Sequence, residues 1–172
     1  CERYAGKFIF TCVYHHTKKK FVNNKFTIFV IECTTNVALS GTATQSSTAH
    51  GGYASHEIDG DTSGMYNQSS VTHTSEETDP WWKVQLAQEY SISQVIVYNR
   101  NESFGDNESL KARLNAFRMT ILLNGVEVFR YDDNASLANV VTSIVVPLNV
   151  IGDAVKIQLF GNNRVLSLAE VE

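Results

Sequence analysis

The chain has 172 residues, enough for one domain of ordinary size plus a short extension. Its composition, 43% hydrophobic and 19% charged, excludes an intrinsically disordered chain. The net charge of −4 argues against a nucleic-acid-binding surface. The longest apolar run, residues 26–31, is far shorter than the roughly 20 residues that span a bilayer, which excludes a transmembrane helix.

Residues 1–33 differ in character from the rest of the chain. They hold six basic residues against two acidic ones and all three cysteines, whereas the remainder holds eight basic residues against sixteen acidic ones. This change predicts an N-terminal extension over residues 1–34 and an acidic, cysteine-free domain over 35–172. Three lysines before the apolar run give the extension the outline of a secretory signal, and the alternative is one or two additional strands.

The cysteines and histidines of the extension allow two further hypotheses. Residues of the types that ligate zinc are present at Cys12, His15, His16 and Cys33. A second paired-ligand motif is missing, so solvated histidines are the favoured interpretation over a zinc site. A disulfide between Cys12 and Cys33 is the other hypothesis, since sequence does not fix cysteine pairing.

Short β-rich runs separated by turn residues fill the chain from residue 81 onward. The predicted strands lie at residues 83–86, 94–98, 117–123, 126–131, 142–146, 155–159 and 166–171. Asn124-Gly125 divides two of them and is the strongest short-range hairpin signal, because both residues tolerate positive φ. No segment of helical length shows 3.6-residue periodicity. The series predicts an all-β, antiparallel β-sandwich whose long loops at 42–80 and 99–113 carry the function.

Several blocks of this sequence resemble F-type lectin (fucolectin) domains, in the same order along the chain. The blocks are Asn-Val-Ala-Leu-Ser-Gly-Thr-Ala-Thr-Gln-Ser-Ser at 36–47, Ile-Asp-Gly-Asp-Thr at 58–62, Val-Thr-His-Thr at 71–74, Asp-Pro-Trp-Trp-Lys-Val-Gln-Leu at 79–86, Val-Tyr-Asn-Arg at 97–100, Arg-Leu-Asn at 113–115 and Leu-Ser-Leu-Ala-Glu-Val at 166–171. The resemblance covers residues 36–172. It implies a discoidin-like jelly-roll β-sandwich that binds fucosylated glycans and has no catalytic activity.

The resemblance implies a sugar site made of His73, Arg100, Glu102 and Arg113. The family recognises L-fucose through a His, an Arg 27 positions later, an acidic residue two positions beyond and a second basic residue, and His73 and Arg100 keep this spacing. Imidazole and guanidinium groups suit the ring and hydroxyl oxygens of a sugar, and an acidic group fixes their geometry. Asp106 and Glu108 are alternatives to Glu102 as the acidic partner.

The sequence departs from the family pattern in two places. The adjacent cysteines that many members carry after the acidic residue are absent, and Ser103-Phe104 follows Glu102 instead, with Phe104 as a candidate apolar face. Thirteen positions separate the two arginines, so residues 101–111 form an enlarged polar loop. Neither Trp81 nor Trp82 is placed in the site, because Trp82 opens an alternating strand.

The resemblance also implies a structural Ca²⁺ ion. Asp59-Gly60-Asp61 alone offers too few oxygens for an ion that takes about six to eight of them. The ligands that the resemblance implies are His56, Asp59, Asp61, Ser70, Ala169 and Glu170. An ion held there would tie the last strand to the loop that leads into His73. The alternative is an Asp-Gly turn without a metal ion.

Four Asn-X-Ser sequons, at 67–69, 101–103, 107–109 and 134–136, are N-glycan acceptors if the chain is secreted. Two of them lie in the enlarged loop, where a glycan would obstruct a sugar pocket.

An enzyme is disfavoured, because Gly-X-Ser-X-Gly, His-Glu-X-X-His and P-loop motifs are absent from the sequence.

The sequence therefore predicts a secreted, calcium-stabilised and non-catalytic lectin that recognises terminal L-fucose. Because one such site binds weakly, a homo-oligomer or tandem domains are expected to supply avidity. The competing hypothesis is a discoidin-like adhesion module that has lost sugar recognition and binds protein or lipid through its loops. Exposed apolar loop tips would favour this second hypothesis.

Overall fold

The computed structural model describes residues 18–22, 25–29, 35–66, 69–102, 107–134 and 139–172. The chain divides into two compact units, Cys1–Thr35 and Asn36–Glu172. In the first unit, β1 (Lys18–Val22) and β2 (Lys25–Phe29) pair as an antiparallel hairpin. The residues of the zinc and disulfide hypotheses lie outside the described ranges, and the N-terminal extension over 1–34 stays a prediction.

The described part of the second unit consists mainly of strands, with one short helix, which confirms the predicted all-β class. Its elements are β3 (Thr42–Gln45), β4 (Trp81–Ser91), β5 (Gln94–Asn99), α1 (Asn107–Ala112), β6 (Arg118–Leu123), β7 (Val126–Asp132), β8 (Val141–Val145), β9 (Ile151–Gln158) and β10 (Leu168–Val171). Two 3₁₀ turns, Ala38–Ser40 and Ala54–Ile58, lie in the N-terminal part of this unit. No helix in the described residues is long and apolar enough to cross a membrane.

The strands of the second unit form two antiparallel sheets with a shared hydrophobic core. The larger sheet has the order β3-β4-β9-β6-β7, and the smaller one has the order β10-β5-β8. Trp82, Met119 and Ile157 enter the core from the larger sheet, and Val97 and Leu168 enter it from the smaller one. All five side chains are fully buried. Alternate residues of each strand supply them, because successive side chains of a strand point to opposite faces.

The Asn124-Gly125 hairpin is present as predicted between β6 and β7. Both turn residues have positive φ, 52° for Asn124 and 78° for Gly125. Leu123 pairs with Val126 directly across the turn. Positive φ at both central residues matches the twist of the flanking strands, which is why this residue pair is so specific for a two-residue turn.

Two elements lie inside segments that the sequence assigned to loops. α1 falls in the enlarged loop and spans fewer than two turns, too few for a 3.6-residue pattern to appear. β3 opens the long loop at 42–80 and pairs with β4 from Thr42–Gln85 to Gln45–Trp82.

β10 pairs with β5, so the C-terminal segment lies directly beside the strand that ends at Asn99.

Candidate functional site

His73 lies in an extended segment that backbone hydrogen bonds hold from both sides. The N–H groups of the two residues flanking it donate to the carbonyl oxygens of Leu166 and Leu168, each at 3.0 Å. On the other side, the N–H of His73 donates to the carbonyl oxygen of Gly52 at 3.1 Å. Gly52 has no room for a side chain, since an added Cβ would lie 2.6 Å from the Cβ of His73. The imidazole is therefore carried by a well-supported backbone, and His73 as a whole residue is only 8% exposed.

Arg100 directly follows β5, and a carboxylate and an aromatic ring hold its guanidinium group. Its Nε and Nη2 atoms lie 2.8 Å and 2.7 Å from Oε1 of Glu102. Its Cζ lies 4.7 Å from the ring centroid of Tyr66, a cation–π contact. The same Glu102 oxygen accepts a hydrogen bond from the N–H of Tyr66 at 3.1 Å. Glu102 therefore fixes Arg100 relative to the loop that carries Tyr66.

Glu102 is the predicted acidic residue that the structure places against a site arginine. Its alternative Glu108 forms an ion pair with Lys111 within α1 instead. The other alternative, Asp106, lies outside the described residues, as does the candidate apolar residue Phe104.

Arg113 reaches His73 from the turn that follows α1. Its Nη1 atom lies 3.0 Å from Nε2 of His73. The side-chain amide of Asn99 donates to the carbonyl oxygen of Lys111 at 3.0 Å, which ties the end of α1 to the end of β5. Burial lowers the pKa of Arg113, and the positive charge of Arg100 lowers it further. The structure therefore brings the two guanidinium groups and the imidazole to one place.

The hydrogen bonds of His73 assign its tautomer. Nδ1 lies 2.8 Å from the carbonyl oxygen of Thr74, which only accepts, so Nδ1 carries the proton. Nε2 is then an acceptor and receives the hydrogen bond from Arg113. Burial lowers the pKa of His73, and the charges of Arg113 and Arg100 lower it further. His73 is therefore neutral at pH 7, which lets it accept a hydrogen bond from Arg113 near the charge of Arg100.

Acidification is expected to destabilise this arrangement. The folded-state pKa of His73 lies below its ordinary value of 6.5, so the unfolded chain binds the proton first as the pH falls. The free energy of unfolding therefore decreases as the pH drops below 6.5, and above that value His73 adds no pH dependence. Thermal unfolding of wild type and His73→Gln between about pH 5 and 8 measures this. A melting-temperature difference between them that is the same at every pH would contradict it.

Tyr66 and His50 are site residues that the sequence did not reveal. Their ring centroids lie 6.0 Å and 5.1 Å from that of His73, both in edge-on arrangements. The Tyr66 hydroxyl donates to the carbonyl oxygen of His50, which holds the two loop segments together. These rings place apolar surface beside the cationic groups. Trp82, in contrast, is buried in the core, and Trp81 lies against the ammonium group of Lys156.

Glu170 of β10 is a fully buried carboxylate that follows the buried Ala169. Its Oε1 accepts from the N–H of Gly60 at 3.2 Å, and its Oε2 has no hydrogen-bond partner among the described residues. Burial raises the pKa of Glu170 to about 7, and the charges of Asp59 and Glu172 also raise it. A cation would offset both the missing partner and the burial of the negative charge. The carboxylate therefore fits a cation site.

The other predicted calcium ligands lie on the loop that faces Glu170 or next to it. Asp59 Oδ1 accepts from the N–H of Asp61 at 2.8 Å, and Asp61 Oδ1 accepts from the N–H of Ser63 at 2.9 Å. The buried Ser70 hydroxyl lies 2.8 Å from that of Ser63, and the His56 ring is turned toward a backbone carbonyl. Within the described ranges, no three His, Cys, Asp or Glu side chains form a metal-holding group. A cation here would therefore depend on backbone carbonyl oxygens.

A second buried carboxylate, Glu57, had no predicted role. It lies in the Ala54–Ile58 turn, is fully buried and accepts a hydrogen bond from the N–H of Thr72, the residue before His73. Burial raises the pKa of Glu57 well above its ordinary value. Glu57 thus ties this turn to the segment that carries His73.

Comparisons with known proteins agree with this fold. A family model described as a NedA-like, galactose-binding domain matches residues 56–157. The lectin domain of lectinolysin, solved with Lewis b antigen, is 35% identical with a TM-score of 0.73 over 81% of this chain and 95% of that one. The Streptococcus pneumoniae fucose-binding module SpX-3 is 35% identical with a TM-score of 0.72 over 81% of this chain and 96% of that one.

A curated relative matches over a shorter segment. Fucolectin-6 of Anguilla japonica is 42% identical over 76 residues, which is 41% of this chain and 41% of that protein. The match thus spans about two fifths of this relative's length. The two sheets and the lectin neighbours confirm the predicted discoidin-like jelly-roll sandwich. The chain belongs to the galactose-binding-like family and, within it, to the F-type lectins.

Proposed function

We propose that this chain is a non-catalytic lectin that binds terminal L-fucose on glycans. The observation that carries the proposal is the meeting of His73, Arg100 and Arg113 beside the rings of Tyr66 and His50. The proposal is supported by relatives whose names describe fucose-binding modules and fucolectins.

The polar groups of the site suit the hydroxyls of one sugar ring. Guanidinium groups only donate, and their planar fork matches two adjacent oxygens. Nε2 of neutral His73 accepts, so a sugar hydroxyl that donates to it would take the place of Arg113 Nη1 or share the atom with it. Glu102 holds the guanidinium of Arg100 in one orientation before the sugar arrives, which reduces the entropy lost on binding.

The aromatic rings suit the apolar part of L-fucose, which is a 6-deoxy sugar with a methyl group. The Tyr66 ring lies against the guanidinium group of Arg100, and the His50 ring packs edge-on against His73, so one ligand would contact both kinds of surface. An apolar surface favours a methyl group over a hydroxymethyl group, because the extra hydroxyl would lose its hydrogen bonds to water. L-Fucose should therefore bind more tightly than L-galactose.

We further propose that a Ca²⁺ ion stabilises this unit. Glu170 would hold it through Oε2, together with oxygens of Ser70. The remaining ligands would be backbone carbonyl oxygens, those of His56, Asp59, Asp61 and Ala169. The ion would supply positive charge to a buried carboxylate and link β10 to the loop that precedes His73. The support for this is the Oε2 atom of Glu170, for which the described ranges supply no hydrogen-bond partner.

Secretion and multivalency belong to the same proposal. Terminal fucose is displayed on extracellular glycans, and four sequons fit a chain that passes through the secretory pathway. A single site exchanges water hydrogen bonds for sugar hydrogen bonds with little net gain. Oligomers or tandem domains would therefore raise the avidity for clustered glycans.

A glycan array with and without calcium tests the proposed function. It should contain fucosylated glycans and the same glycans lacking fucose. We expect signals that require terminal fucose and that weaken when calcium is chelated. Equal signals from both glycan sets would contradict fucose recognition.

The second candidate function is the adhesion module, and exposed apolar side chains favour it. Leu148 is 87% exposed and Val145 is 78% exposed, around the turn between β8 and β9. Binding of the protein to liposomes that Leu148→Ser abolishes, together with a blank glycan array, would support this function. Fucose-dependent array signals unaffected by Leu148→Ser would support the lectin.

A further inference from the structure

We infer that Arg164 is a positioning residue that holds Arg113 against His73, and its consequence for sugar binding rests on the function proposed above. Its Nη2 donates to the carbonyl oxygen of Asn115 at 2.8 Å and to that of Arg113 at 3.3 Å. Its Nη1 donates to the carbonyl oxygen of Phe160 at 3.1 Å. The guanidinium group therefore joins the turn that carries Arg113 to the segment after β9.

The turn is anchored to the core by the fully buried Leu114, and Arg164 holds the backbone carbonyl oxygens on either side of that residue. Arg113 comes one residue after α1, a helix of only six residues within the enlarged loop. The backbone N–H groups of Arg113, Leu114 and Asn115 donate hydrogen bonds of 3.0 to 3.3 Å to carbonyl oxygens of α1. Those bonds stay inside the loop and do not fix its position relative to His73. The bonds from Arg164 and the amide of Asn99 do cross to the sandwich.

Arg164 is itself held by its backbone. Its N–H and carbonyl pair with those of Glu77 in an isolated antiparallel bridge, with both hydrogen bonds at 3.0 Å. Two and four residues later, the carbonyls of Leu166 and Leu168 receive the hydrogen bonds that flank His73. The segment 164–168 thus supports His73 through its backbone and Arg113 through the side chain of Arg164. This common support sets the distance between the two site residues.

The test follows the His73 ring by NMR at varied pH in the full chain, with its signals assigned from the spectrum of His73→Gln. The nearby cations that lower the pKa of His73 are Arg113 and Arg100, and His50 lowers it when charged. Releasing Arg113 should therefore raise the pKa of His73. We expect Arg164→Ala to raise it in the same direction as Arg113→Gln does, and to weaken binding of methyl α-L-fucoside about tenfold.

Arg118→Ala is the matched control. The Arg118 guanidinium also contacts Phe160, at 4.7 Å from its ring centroid, and pairs with Asp132. None of its described bonds reaches the Arg113 turn. We expect this variant to leave the His73 pKa and the fucoside affinity unchanged.

Arg164→Gln decides the test if Arg164→Ala fails to fold. It keeps the backbone bridge to Glu77, and its shorter amide replaces a fork that donates to three carbonyl oxygens. A folded variant whose His73 pKa equals that of wild type would overturn the inference, as would Arg113→Gln without a shift. Wild type that binds no fucoside would instead overturn the proposed function, and the NMR result would still decide the role of Arg164.

Discussion

Arg100→Ala is expected to lower the affinity for methyl α-L-fucoside by about tenfold to a hundredfold, as the loss of hydrogen bonds to a charged group implies. Two effects combine. The sugar loses the planar fork of donors, and Glu102 is left without the partner that holds it 2.7 Å away. Arg100→Lys should restore only part of the affinity, because an ammonium group donates from one point. Isothermal titration calorimetry at pH 7 measures all three proteins.

Arg118→Ala serves again as a control, because it changes the net charge by the same amount as Arg100→Ala but at a position outside the site. Its fucoside affinity should equal that of wild type. Unchanged affinity in a folded Arg100→Ala protein would show that the sugar binds elsewhere. An equal loss in Arg118→Ala would show that net charge, rather than a specific contact, governs binding.

Glu170→Gln is expected to abolish stabilisation by calcium. The wild-type melting temperature should rise when calcium is added after chelation, by an amount equivalent to about 2.7 kcal/mol at a hundredfold excess over the dissociation constant. The introduced amide would place a neutral group at the buried Oε2 position, which has no hydrogen-bond partner in the described part of the chain, so calcium should leave the melting temperature of that variant unchanged. Thermal unfolding followed by circular dichroism measures the shift.

Glu172→Gln is the matched control for calcium. Glu172 lies two residues further along and accepts a hydrogen bond from the Tyr98 hydroxyl at 3.1 Å. Its variant should keep the full response to calcium. A calcium response that survives Glu170→Gln, or that is lost only in Glu172→Gln, would contradict the proposed ligand.

The sandwich was predictable because its signals are local. Alternation over a few residues marks strands such as β4, a β-branched apolar run marks β5, and Asn124-Gly125 marks its hairpin by backbone conformation alone. The proximity of His73 and Arg113 was predictable only through resemblance to a family. The two residues are 40 positions apart, and nothing in their local sequence indicates a contact.

The rest of the site depends on pairings that local patterns do not encode. Tyr66 is an aromatic residue in a polar loop, and its role comes from stacking with an arginine 34 positions away. Glu57 reads as a surface residue, since charged side chains are rarely buried, yet it is fully enclosed. Arg164 acts on a turn 51 positions earlier in the chain. Such contacts follow from the way the segment 164–168 and the loops pack together.

The most direct test of the central claim is an NMR titration of the full chain with L-fucose. It follows the His73 ring nitrogens and the Nε–H groups of Arg100 and Arg113. We predict saturable shifts of all three groups at millimolar sugar, with L-galactose producing weaker ones. Saturable shifts confined to other residues, or none at all from a folded protein loaded with calcium, would contradict the account.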